Sequence, residues 1–151
     1  MRGAVLGSFE AWLLLRGMRT LFLRVPASAR TAQHIAEVLQ RHAMVAQSLY
    51  PGLPDHPGHA IARRQMQNGF GAIVSLRVRG GEAAAKRVVA KLKLFKNATS
   101  LGGIESLVEH RAAVEGPDSQ VPRDLLRLSI GIEDADDLAD DLVQALDRAN
   151  G

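Results

Sequence analysis

The period of the apolar positions changes several times along this chain, and each change marks an element. Residues 8–25, SFEAWLLLRGMRTLFLRV, are largely apolar after Glu10, apart from a stripe of Arg16, Arg19, Thr20 and Arg24. That pattern predicts a helix buried around most of its girth, with Gly17 at a bend or a close helix contact. Pro26 and Ser28 separate it from a second helix over 29–43, whose inner face is Ala32, Ile35, Ala36 and Leu39. A short apolar piece, 44–50, has the length of a strand. The run PGLPDHPGH that follows has the chemistry of a surface loop, and 58–66 has the spacing of a short helix.

Strict alternation then appears in AIVSLRVRGG. Val74, Leu76 and Val78 share one face and Ser75, Arg77 and Arg79 the other, which predicts a half-buried strand ending in a Gly-Gly turn. Residues 82–95 return to helical spacing, with Ala85, Val88, Val89, Leu92 and Phe95 inward and Lys86, Arg87, Lys91 and Lys93 outward. A polar loop, EGPDSQVPRD, leads to LLRLSIGI, whose Leu126, Leu128, Ile130 and Ile132 alternate with Leu125, Arg127, Ser129 and Gly131. The last helix, 134–149, carries a stripe of Ala135, Leu138, Ala139, Leu142, Val143 and Leu146. Asp134 is placed to cap it; Asp136 and Asp137 in its first turn and Arg148 in its last suit the helix dipole. The order of elements predicts an α/β chain of the α+β kind: a small mixed, partly antiparallel sheet with helices on one face, preceded by a long apolar helix.

Composition narrows the chemistry. At 151 residues the chain suits one hydrophobic core, and with no cysteine it has no disulfide framework, thiolate metal site or cysteine nucleophile. Its longest apolar run, AWLLL, is far too short to span a bilayer, and no signal-peptide pattern opens the chain. These features suit a cytoplasmic protein without a membrane partner. Residues 1–96 carry 15 Lys+Arg against 4 Asp+Glu, whereas residues 97–151 carry 4 against 12. The halves offset each other if they fold together. No aromatic residues interleave with the basic ones as a single-stranded nucleic-acid surface requires, so nucleic acid is not an expected partner.

The stretch SLGGIESLVEH, 100–110, is the densest in polar chemistry. Ser100 and Ser106 sit in no G-x-S-x-G elbow, and the glycine pair lacks the Lys-Ser/Thr end of a phosphate loop. His56 and His59 are three apart beside Asp55, short of the three converging ligands a metal needs; no metal is expected. Arg127 lies mid-strand among aliphatics. It is either an exposed strand arginine or one aimed into a cleft, where its planar fork would take a carboxylate through two parallel hydrogen bonds.

Four blocks in order, GSFEAWLLLRGMRTLFLRV, YPGLPDHPGHAIARRQMQNGFGAIVSLRVRGG, LKLFKNATSLGGIESLVEH and LLRLSIGIEDADDLADDLVQAL, resemble the C-terminal part of the Cys/Met-metabolism family of pyridoxal-phosphate enzymes. That family includes the cystathionine γ-synthases, cystathionine lyases and methionine γ-lyases. The resemblance runs nearly end to end. It implies the C-terminal domain of a fold-type I transferase, with residues 1–43 as a helical link from a cofactor-binding domain and 44–151 as a substrate-recognition domain.

The resemblance also implies roles. Arg127 matches the arginine that holds the substrate α-carboxylate, and Ser100 a serine beside it, with Leu101 in the turn that follows. Thr99 stands where cystathionine-processing members often carry glutamate, which leaves substrate choice open. EHRAAVEGPDSQVP departs from the commoner EHPA with a longer loop. The family's Schiff-base lysine does not match Lys86, Lys91, Lys93 or Lys96, none of which has its Ser-x-Thr-Lys context. The expectation is a chain with no catalytic residue of its own. It would bind an amino-acid substrate by its carboxylate and require a pyridoxal-phosphate domain or another copy of the chain, in a homo-oligomer. The competing expectation is a non-catalytic remnant that self-associates or binds a partner, because an apolar first helix needs a covering body.

Overall fold

A computed structural model describes residues 5–149 of the chain. Its elements, in order, are α1 (Ser8–Met18), α2 (Leu21–Gln40), β1 (Val45–Leu49), α3 (His59–Gln65), β2 (Ile73–Val78), α4 (Gly81–Lys91), β3 (Lys96–Asn97), β4 (Leu107–His110), α5 (Arg111–Glu115), β5 (Leu125–Ser129) and α6 (Ala135–Asp147). The strands form one sheet in the order β1-β2-β5-β4-β3. Every neighbouring pair is antiparallel except β3 and β4, which are parallel. This is the mixed, mainly antiparallel sheet that the strand patterns predict.

Alternation assigns the two faces of the sheet. Val74, Leu76, Val78, Val108, Leu126 and Leu128 are fully buried and meet α2 and α4. The buried stripe of α2, from Ser28 through Leu39, recurs every three or four residues, as a helix on a sheet requires. The helix α6 packs against both α2 and α4 and adds Leu138, Leu142 and Leu146 to the same core. Each such fully buried aliphatic side chain contributes about 1.5–3 kcal/mol. Core residues therefore come from both sides of residue 43.

The N-terminal third corrects the expected helices. The break falls at Arg19–Thr20, not at Pro26–Ser28, and Pro26 lies inside α2. Proline there forfeits one hydrogen bond, to the carbonyl of Phe22. Phe22 is highly exposed, so water can satisfy that carbonyl. At the real break, Arg24 Nη1 donates to the Gly17 carbonyl at 3.0 Å and also bonds Thr20, closing the end of α1 just after its glycine. Within this chain alone the helix is not buried. No residue of α1 is buried. Phe9, Trp12, Leu13, Leu14, Leu15 and Met18 of α1 and Phe22 and Leu23 of α2 all stand exposed; among the described elements α2 is the main neighbour of α1.

Smaller differences have local causes. The helix α4 stops at Lys91, so Leu92–Phe95 are not helical. The Asp141 carboxylate on α6 captures the backbone N–H groups of Lys93, Leu94 and Phe95 and turns the chain toward β3. The strand β5 ends at Ser129, so Ile132 is exposed despite its alternating place. The one-turn helix α5 lay outside the predicted elements. The Asp134 cap is as expected: its side chain accepts from the N–H of Asp136 and Asp137. Among the described residues no helix is long and apolar enough to cross a membrane.

Candidate functional site: a paired arginine on the second face of the sheet

The face opposite the helices carries polar side chains. Ser75, Arg127 and Glu109 stand in register across β2, β5 and β4. Cross-strand neighbours on one face lie close enough to interact directly. Arg127 Nε meets Glu109 Oε1 at 2.8 Å. Glu109 is 2% exposed, and such a carboxylate must be paired to remain charged. Its partners are two arginines and a hydroxyl: Arg111 Nη1 lies at 3.3 Å, and Thr99 Oγ1 donates to Oε2 at 2.5 Å.

The loop between β3 and β4 brings the second half of the site. Its base is closed by the N–H of Lys96 on the Ser106 carbonyl and that of Ala98 on the Val108 carbonyl. Arg127 Nη2 donates to the Ser100 carbonyl at 3.2 Å. Ser129 Oγ donates to Ser100 Oγ at 3.2 Å, and Ser100 Oγ accepts from the N–H of Gly102 at 3.1 Å. Of the expected site residues, Thr99, Ser100 and Arg127 thus converge. Leu101 is 81% exposed, on the lip of a cleft that Leu21, Arg24 and Val25 of α2 also line.

A guanidinium has five N–H donors. Arg127 pairs with Glu109 as an ion through Nε and donates one hydrogen of Nη2 to Ser100, and both hydrogens of Nη1 and the second of Nη2 have no acceptor among the described residues. Arg77 is different. Its Nε and Nη2 take both oxygens of Asp124, at 2.8 and 3.0 Å. That bidentate pair raises the Arg77 pKa and anchors the turn before β5. Burial works against the charge of Arg111, but hydrogen bonds to Glu115 and Glu109 outweigh it and hold the guanidinium above its ordinary range. The Ser119 hydroxyl, with Arg111, holds the Glu115 carboxyl below its ordinary range, against the effect of burial.

The other polar residues of the stretch 100–110 are structural. Ser106 Oγ donates to Glu133 Oε2 at 2.8 Å and accepts from the N–H of Gly131 at 2.9 Å; its own N–H bonds Glu133 Oε1 at 2.7 Å. This ties the loop to the turn after β5. A Cβ on Gly131 would collide with the Ile104 carbonyl and the Glu105 backbone, so the turn needs glycine. His110 Nε2 bonds the Arg123 carbonyl at 2.5 Å, and Glu105 pairs with Lys96 at the surface. His59 Nδ1 is spent on the Pro51 carbonyl, and His56 Nδ1 on the N–H of Gly58. No group of metal-holding side chains occurs among the described residues.

Glu109 is the residue sequence reasoning missed. Its signal was present: in LVEH, with Val108 inward, alternation places Glu109 on the face of Arg127. Among the lysines, Lys96 alone shares that face by strand register, at the edge strand two removed from Arg127. Lys86 and Lys91 ride on α4, across the sheet, where Lys86 pairs with Glu82. Lys93 follows that helix, and Lys96 is held at the sheet edge by Glu105. The groups bonded to Arg127, Glu109 and the Ser100 carbonyl, include no amine that could form a Schiff base with an aldehyde cofactor.

The family model for Cys/Met metabolism PLP-dependent enzymes matches residues 1–147. The cystathionine gamma-synthase of Mycobacterium tuberculosis is 52% identical over 149 residues, which are 95% of this chain and 38% of that protein. The L-methionine gamma-lyase of Fusobacterium nucleatum subsp. polymorphum is 38% identical over 156 residues, 98% of this chain and 39% of its own length. The crystal structure of cystathionine gamma synthase from Xanthomonas oryzae pv. oryzae in complex with cystathionine superposes with a TM-score of 0.87 at 48% identity, over 94% of this chain and 38% of that one. This chain thus spans well under half the length of the relatives it matches. It belongs to the Cys/Met-metabolism family of pyridoxal-phosphate-dependent enzymes.

Proposed function

We propose that this chain is the substrate-carboxylate-holding part of a pyridoxal-phosphate-dependent trans-sulfuration enzyme. The reaction class is γ-elimination or γ-replacement on a sulfur-containing or homoserine-derived amino acid. The observation that carries the reading is Arg127. It is held on two sides by Glu109 and the Ser100 carbonyl, with three N–H donors left over. A charge-assisted, two-point contact is the strong way to hold a carboxylate. The names of the relatives, cystathionine gamma-synthase and methionine gamma-lyase, supply the substrate class.

In this reading Arg127 takes the α-carboxylate, and Ser100 sits beside the bound group with its hydroxyl oriented by Ser129 and Gly102. The α-amine is thereby aimed away from the sheet. Pyridoxal phosphate supplies the electron withdrawal in this family. To this chain we assign binding and orientation alone. The test is a titration of the 15N-labelled chain with L-cystathionine, followed by amide shifts over residues 99–103. Arg127→Ala should weaken binding by about 10–100-fold, the loss of a charge-assisted hydrogen-bonded pair. Equal affinity in the variant, or no response in the unaltered chain, would remove the carboxylate role.

A second reading rests on α1. Its exposed apolar surface favours association with another copy of the chain or a partner protein.

A further inference from the structure

We infer that Glu109 is a positioning residue: it holds the Arg127 guanidinium in the one orientation that presents its remaining N–H donors to a carboxylate. This rests on the reading of Arg127 as the carboxylate-binding group. Arginine turns about four side-chain torsions, and a single bond from Nη2 to the Ser100 carbonyl leaves its plane free to rotate about that contact. The second anchor is the ion pair of Nε with Glu109 Oε1 at 2.8 Å, a second point of attraction that restrains this rotation.

Glu109 can act as a fixed anchor because it is itself immobilised. It is 2% exposed, Thr99 Oγ1 holds its second oxygen at 2.5 Å, and Arg111 approaches the first at 3.3 Å. Arg111 in turn is bonded to Glu115 at 2.8 Å. The chain Thr99–Glu109–Arg127 thus runs from the loop to the strand and closes on the loop again at Ser100. Thr99 has its hydroxyl hydrogen committed to Glu109, so its part in the site is to steady the anchor.

Positioning and simple electrostatics predict opposite signs, which makes the inference testable. A negative carboxylate beside Arg127 repels an incoming carboxylate, so on charge alone Glu109→Gln tightens binding. If Glu109 positions Arg127, the same variant weakens L-cystathionine binding by about 5–10-fold, because the guanidinium loses the ion pair that orients it. Arg127 Nε–H, identified by its loss in Arg127→Lys, should exchange slowly with solvent in the unaltered chain. In Glu109→Gln it should exchange about 10-fold faster, as for a group released from a close, part-buried ion pair. Ethylamine, which lacks a carboxylate, should move neither signal.

Thr99→Val leaves both charges in place and serves if Glu109→Gln does not fold; it should speed the same exchange about 2–3-fold by freeing one oxygen of the anchor. Unchanged or tighter binding in Glu109→Gln overturns the inference. So does Nε–H exchange that is fast in the unaltered chain or indifferent to both variants. If the unaltered chain ignores L-cystathionine while Arg127 Nε–H is protected and released by Glu109→Gln, the carboxylate reading fails. The hold of Glu109 on Arg127 then stands.

Discussion

Removing the Asp141 carboxylate should be among the costliest single changes on the surface of α6. Asp141 is 5% exposed. Its oxygens accept the N–H of Lys93 at 3.0 Å, of Leu94 at 2.8 Å and, more weakly, of Phe95 at 3.4 Å. Gln144 Nε2 adds a fourth donor at 3.1 Å. A hydrogen bond to a charged group contributes about 1.5–3 kcal/mol. Lys93 and Leu94 are exposed, so water would satisfy part of what Asp141→Ala releases, and the lower value for each of the two short bonds is appropriate. The expected loss is therefore about 3 kcal/mol, or a Tm lower by about 6–12 °C at this chain length. Asp141→Asn keeps one carbonyl acceptor without the charge and should lose about half as much.

Urea unfolding followed by far-UV circular dichroism measures both variants. Amide exchange at residues 93–95 shows whether the loss is local. The same segment leads into β3 and then to Thr99 and Ser100, so the exchange of 99–103 should also quicken. A loss under about 1 kcal/mol for Asp141→Ala would refute the reasoning, because a carboxylate that gathers three backbone donors would then contribute no more than an ordinary surface side chain.

Two further outcomes follow from the fold. Tyr50 is fully buried, its hydroxyl donating to the Gly71 carbonyl at 2.9 Å, and burial pushes its pKa from 10.0 up to about 12. The neutral form is favoured in the fold, so its contribution is complete below pH 10 and falls away as pH rises toward 12. Tyr50 is the only tyrosine of the chain, so phenolate absorbance at ~295 nm reports it directly; a midpoint near 10 with the fold intact would contradict its burial. The exposed surface of α1 should drive association: sedimentation equilibrium over a concentration series should show oligomers, with Trp12 emission shifting to the blue. A monomer throughout, with Trp12 still solvent-exposed, would count against the second reading.

Alternation and helical spacing made the sheet and its helix layer legible, because one-sided burial writes its period into β2, β5 and α6. The site was legible in part. Arg127 stood out as a charge among aliphatics, but its meeting with Ser100 depends on a loop whose base is closed by hydrogen bonds from Lys96 and Ala98, which no local pattern encodes. Glu109 was hidden for a related reason: what makes it special is a cross-strand partner some distance away in sequence. The N-terminal helices misled because proline is read as a breaker, whereas Pro26 costs α2 only one bond to an exposed carbonyl. The burial expected for α1 was a statement about its composition; the described residues contain nothing to cover it.

The tie between Ser106, Gly131 and Glu133 carries a lesson for anyone who would re-engineer this surface. Ser106 spans 25 residues to Gly131 and 27 to Glu133, so the loop that bears Ser100 is fastened to the strand that bears Arg127 by a joint distinct from either side chain. The two segments form one interchangeable part. A loop borrowed from a relative would have to bring compatible residues at 131 and 133, and variants that exchange one segment alone should be poor starting points for directed evolution.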